Sequence, residues 1–154
     1  MPRIALDTQL LLLLLAGETG CRLDHGSPRL KQYRAVDYQL LVEVLVGQSY
    51  VTIPNVLTEV SNLIGREFKD DFNDRMRRAL GAFVARADES YVPSLEAVGR
   101  PEYRWLGLTD AAWLCCNEPA STLWTDDQML YIAATELGLK CRNFTHLRAE
   151  RGHL

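Results

Sequence analysis

The sequence predicts an α/β domain built on a parallel sheet with helices on both faces, and three observations carry that expectation. Short strand-like runs alternate with helical segments along the chain, the order that calls for helical crossovers between parallel strands. Glycine closes one helical segment after another, at positions 17, 47, 65 and 138. With 47% hydrophobic and 24% charged residues among 154, and no repeat, low-complexity stretch or linker, residues 1–154 are expected to form one domain around one core.

The elements follow in order. Arg3 to Leu6 predicts a short buried strand, with Asp7 at its carboxyl end. Thr8 to Ala16 predicts a helix that is apolar on every side and hence buried, ended by Gly17. The stretch ETGCRLDHGSPR is rich in turn formers and predicts a loop. Apolar residues at 36, 40, 41, 44 and 45 give helical spacing from Ala35 to Val46. YVTIP supplies a second strand, and Pro54 suits the first turn of a helix running to Ile64. A long amphipathic helix is expected from Asp70 to Ala87, with Phe72, Met76, Leu80, Phe83, Val84 and Ala87 as its apolar stripe. SYVPS predicts a third strand, and Thr109 is placed to cap a helix beginning at Asp110. STLWT predicts a strand, Asp127 to Leu137 a helix, and LKCRNF a last strand.

The six leucines at 10 to 15 raise the question of export. A signal peptide needs a basic start and an unbroken apolar stretch, whereas Arg3 is the only basic residue here and Asp7, Thr8 and Gln9 interrupt. Leu10 to Ala16 is also far short of the roughly 20 apolar residues that cross a bilayer. A soluble, cytoplasmic protein without a membrane segment is therefore expected, with the leucines as a wall behind Asp7. Cys21, Cys115, Cys116 and Cys141 form no CxxC pair and the histidines stand apart, which suggests neither a zinc site nor a disulfide framework. The net charge of −3 leaves any nucleic-acid contact to a local basic patch.

In an open parallel sheet, ligands bind beyond the carboxyl ends of the strands. Asp7 ends the first strand, Asp126 and Asp127 end STLWT, Asp110 opens the helix leading into that strand, and Glu59 lies one turn after Pro54. Crowded carboxylates raise one another's pKa unless a cation neutralises them, and hard oxygen ligands select magnesium or manganese. Such a cluster suits phosphodiester hydrolysis. Each acid also has a plain structural use. Asp7 and Asp110 suit helix caps, Glu59 an exposed helical face, and Asp126 with Asp127 a turn and a cap. Their joint placement, and the polar stripe of Asn55, Glu59 and Asn62, favours the chemical reading.

The segments IALDTQ, TEVSNL, GLTDAA and WTDDQMLYIAA, in that order across residues 3 to 147, resemble the PIN-domain family of nucleases, which includes VapC-type toxins. The closing RNFTHLR resembles that family's final strand and tail. The resemblance implies a three-layer α/β/α sandwich with strand order 3-2-1-4-5 and Mg2+- or Mn2+-dependent cleavage of single-stranded or structured RNA. It carries over Asp7, Glu59, Asp110 and Asp127 as catalytic metal ligands, with Asp126 beside them and Thr125 and Thr8 as supporting hydroxyls. The TxD pattern of Thr125 and Asp127 favours Asp127 over Asp126, which is expected to be the freer of the two. An antitoxin protein and a homodimer are the partners it implies, the helix from Ala35 to Val46 having apolar surface for both core and partner. Two features depart from the family pattern: Gln9 stands where asparagine or serine is frequent, and residues 17 to 34 form a longer segment.

RNA would be held by basic residues around the acids, for which Arg66 with Lys69, the run of Arg75, Arg77 and Arg78, and Lys140 with Arg142 are the candidates. Arg75, Arg77 and Arg78 follow Asp70, Asp71 and Asp74 on one helix and equally suit surface ion pairs. Tyr33, Tyr38 and Trp105 suit either base stacking or the core. Two other functions compete with the nuclease: a non-catalytic PIN-like nucleic-acid-binding module, and a phosphoacceptor switch. The switch lacks its acidic pair, since Thr8 follows Asp7.

Overall fold

Asp7 ends one element and begins the next: its backbone is extended, and its carboxylate accepts the Leu10 amide of the helix it opens. The computed structural model of the chain describes residues 2–23, 27–116, 118 and 120–154. In chain order the elements are β1 (Arg3–Leu6), α1 (Thr8–Glu18), α2 (Ala35–Leu45), β2 (Ser49–Thr52), α3 (Pro54–Glu67), α4 (Asp70–Arg86) and β3 (Ala87–Glu89). There follow α5 (Ser94–Val98), α6 (Tyr103–Leu106), α7 (Leu108–Cys115), β4 (Ser121–Thr125), α8 (Gln128–Glu136), β5 (Cys141–Asn143) and α9 (Phe144–Glu150).

The strands form one five-stranded sheet in the order β3-β2-β1-β4-β5, and every neighbouring pair is parallel. This is the α/β architecture and strand order expected. Parallel neighbours need right-handed crossovers, so a sheet that winds outward in both directions from β1 and β4 carries helices on both faces. The order reverses between β1 and β4, where Leu6 pairs with Trp124 and the Asp7 amide continues the ladder to the Trp124 carbonyl at 3.1 Å. Leu10 to Ala16 are all buried, and α1 packs against α2, α3 and α4 as the middle of the core. No helix among the described residues is long and apolar enough to cross a membrane.

Several borders differ from the sequence reading. SYVPS is not a strand. The third strand is Ala87–Glu89, after which the Ser90 amide bonds the Thr52 carbonyl at 2.8 Å. The long helix α4 accordingly ends at Arg86, one residue before the expected Ala87. Gly17 lies inside α1, because the Tyr38 ring packs so closely that a Cβ would stand 2.1 Å from it. Gly65 likewise lies inside α3. Thr109 is in the first turn of α7 instead of capping it, the cap being Gly107 at φ 86°. Phe144–Glu150 forms α9, with Asn143 as its side-chain cap, so the last strand is only Cys141–Asn143. Of the loop expected in ETGCRLDHGSPR, Asp24, His25 and Gly26 lie outside the described residues, and Pro28–Leu30 forms a single 3-10 turn.

Candidate active site

Asp7 stands at the reversal point of the sheet, 6% exposed. Its Oδ1 accepts from the Leu10 amide at 2.9 Å, and its Oδ2 from the Thr125 hydroxyl and from the Asp126 amide at 3.2 Å. Burial pushes its pKa up to about 6. The Thr125 and Leu10 hydrogen bonds oppose that rise, and the Asp126 charge adds to it. The capping use of Asp7 is thus real, and it fixes the carboxylate at the sheet edge.

Three other elements bring acids to the same cleft. Glu59, on α3, accepts the Thr8 hydroxyl at 2.7 Å and the Thr109 hydroxyl at 2.8 Å, so α1 and α7 both orient it. Asp110 follows Thr109 in the first turn of α7 and caps nothing. Its carboxylate is half-buried and receives no hydrogen bond from the described residues. Burial pushes its pKa up to about 7, helped by the charges of Asp127, Asp7 and Glu59.

Asp127 caps α8, its Oδ1 accepting from the Met129 amide at 2.8 Å and the Leu130 amide at 3.1 Å. Its other oxygen takes no hydrogen bond from the described residues. The Asp127 amide in turn donates to Thr125 Oγ1 at 2.9 Å, so one threonine hydroxyl fastens both Asp7 and Asp127. Asp126 is not the freer of the pair. One oxygen accepts the Tyr33 hydroxyl and the other the Thr145 hydroxyl at 2.8 Å, which ties it to the loop before α2 and to α9.

Asp7, Glu59, Asp110, Asp126 and Asp127 line one cleft of about 520 Å³, together with Thr8, Gln9 and Asn62. Its basic residues are Arg66 and Arg29. Arg66 forms no ion pair with the described residues. Of the other basic candidates, Lys69 lines a separate hollow with Phe68 and Phe72, Arg77 donates to Asn73, and Arg78 pairs with Asp74 at 3.0 Å. None of the three lines the acidic cleft: Lys69 precedes α4, and Arg77 and Arg78 bond to residues one turn back on α4 itself. Lys140 and Arg142 lie elsewhere too, along a hollow with Pro2, Arg3 and Ile4. Arg29 and the bond from Tyr33 to Asp126 escaped the sequence reading: both depend on how residues 27–34 fold back, for which no periodic signal exists. Tyr33 itself is core, 3% exposed, whereas Trp105 is exposed and Tyr38 half-buried against Gly17.

The donor set fits a hard divalent cation. The charges of Asp7, Glu59 and Asp127 all act on Asp110, which receives no hydrogen bond from the described residues to offset its own. Among the described residues, no three Asp, Glu, His or Cys side chains are grouped so as to hold an ion as they stand. The fit therefore rests on donor chemistry and crowding.

No family model matches the sequence, and no curated protein matches it. Among solved structures, a chain of VapBC2 from Rickettsia felis, bound to a DNA fragment from their promoter, aligns with 92% of this chain and 98% of its own. The TM-score is 0.53 at 14% identity, a likeness of fold. With the sheet order β3-β2-β1-β4-β5, it makes this an α/β protein of PIN-like fold.

Proposed function

We propose that the protein is a Mg2+- or Mn2+-dependent ribonuclease, the toxin of a toxin–antitoxin pair acting in the cytoplasm. The observation that carries this reading is the convergence of carboxylates from four separate elements in one cleft, where Asp110 alone of the five acids receives no hydrogen bond from the described residues. Asp7, Glu59, Asp110 and Asp127 would hold the ion, with Asp126 at the edge of the set. When bound, the ion activates water and stabilises charge on the phosphate and leaving oxygen.

The chain's own part is positioning. Thr8 and Thr109 orient Glu59, Thr125 orients Asp7 and the Asp127 backbone, and Arg66 with Arg29 offers charge to the RNA phosphates. An antitoxin partner rests on the likeness to VapBC2, and self-association on the exposed Val36, Val42 and Val46 of α2 and its border. The test is cleavage of a mixed RNA pool by purified protein. Cleavage is expected with magnesium or manganese and not in excess chelator, with circular dichroism unchanged. Undiminished cleavage in chelator would sink the metal mechanism, and RNA binding without cleavage in any metal would favour the binding module.

A further inference from the structure

The polar stripe of α3 continues past the acids in both directions. Asn55, Thr58, Glu59, Asn62 and Arg66 fall on one face, a run of twelve residues or about 16 Å of helix from first to last. At the Arg66 end lies the acidic cleft. At the Asn55 end lies a second hollow of about 450 Å³, lined by Pro54, Asn55, Thr58, Tyr91, Leu108 and Thr109, with Glu59, which Thr109 bonds, lining both. The two hollows thus form one track along α3, meeting at Glu59.

The second hollow differs in chemistry from the first. No lysine or arginine among the described residues lines it, and Glu59 at its border repels phosphate. It offers instead the Tyr91 ring, 74% exposed, the Leu108 side chain, and the amide and hydroxyl of Asn55 and Thr58. Tyr91 sits two residues past β3, on the same carboxyl edge of the sheet as Asp7, held there by the Ser90 amide bond to Thr52. A flat, uncharged ring with a polar edge suits this lining. We infer that the Tyr91–Leu108 hollow is a subsite for one unpaired nucleobase of the substrate, next to the phosphate that faces the acids.

The inference rests on the ribonuclease reading and sharpens it. A base stacked on an aromatic ring is free to do so only outside a duplex. The track is short: even at the 3.4 Å per nucleotide of a duplex strand it spans no more than about five nucleotides.

The test uses the full chain and fluorescent RNA oligonucleotides of about ten nucleotides, with binding measured in chelator and KM measured with manganese. Tyr91→Ala is expected to weaken single-strand binding and raise KM by about tenfold, and Tyr91→Trp to restore both. An RNA with one abasic position beside the cleaved bond should lose a similar factor with the wild type and nothing further with Tyr91→Ala. Unchanged binding and KM in Tyr91→Ala, or duplex bound as tightly as single strand, overturns the subsite while leaving the nuclease standing. Single-strand binding that depends on Tyr91, without cleavage in any metal, leaves the subsite and removes the nuclease.

Discussion

At the scale of single residues, Asp110 holds a charge that the folded protein does little to accommodate. Burial and three neighbouring carboxylates disfavour it, and no described donor compensates. Asp110→Asn is therefore expected to stabilise the metal-free protein by about 1 kcal/mol or more, read as a higher melting temperature. It should also abolish the further rise that manganese gives the wild type by mass action. Calorimetry with and without manganese checks both; an equal manganese increment in the variant would remove Asp110 from the site. Among the described residues nothing bonds the second Asp127 oxygen beside Asp110, whereas both Asp126 oxygens hold hydroxyls. Asp127→Asn should nearly abolish single-turnover cleavage and Asp126→Asn only weaken it. The opposite ranking would put the fourth ligand at 126.

At the scale of elements, what was legible in the sequence is what local chemistry decides. β1 and β4 are apolar runs that end at acids, α8 is bordered by Asp127 and Gly138, and those borders fell where expected. Asp7, Asp126 and Asp127 were legible for the same reason, since they follow strands at the start of helices, whereas Glu59, inside α3, showed only through the polar stripe it shares with Asn55 and Asn62. The third strand was not. Ala87, Asp88 and Glu89 have little strand preference, and only pairing with Tyr50, Val51 and Thr52 makes them one, while the strand-like Tyr91 and Val92 lie just beyond. Gly17 misled because it answers to a neighbour and not to the chain's direction. Gly17→Ala should cost about 1–3 kcal/mol, since its methyl would displace the Tyr38 ring. In a Tyr38→Leu background the cost should shrink; additive costs in urea unfolding would mean the ring is not the obstacle.

At the scale of the whole molecule, a buried ion pair ties α9, near the end of the described chain, to α2 and so to the site. Arg148 on α9 donates to Asp37 on α2 at 3.0 Å through Nε and 3.3 Å through Nη2, and to the Gln32 carbonyl at 2.9 Å. Its guanidinium lies 4.9 Å from the Tyr33 ring centre, whose hydroxyl holds Asp126. Burial alone would raise the Asp37 pKa, but the bonds from Arg148, the Arg34 amide and His153 outweigh it and hold it below the ordinary 3.8. A depressed carboxyl pKa stabilises the fold above the unfolded value, and that contribution is lost as pH falls through the folded one. Arg148→Met should therefore cost about 3–5 kcal/mol near pH 7, by stranding a buried charge. The deficit should shrink below the ordinary carboxyl value of 3.8, where Asp37 takes up a proton. A deficit independent of pH would assign the loss to packing.

The leucine helix has one more consequence. A rod with the same side chain all round fits its socket in many rotational settings, because leucine contacts carry no direction. What sets the angle of α1 must come from its two ends: the Asp7 cap at one, and the notch at Gly17 that admits Tyr38 at the other, about 15 Å away. The helix works like a smooth shaft keyed top and bottom. Because Thr8 turns with that shaft, and Thr8 aims Glu59, a methyl group added at the far key would be felt as a misdirected carboxylate in the cleft.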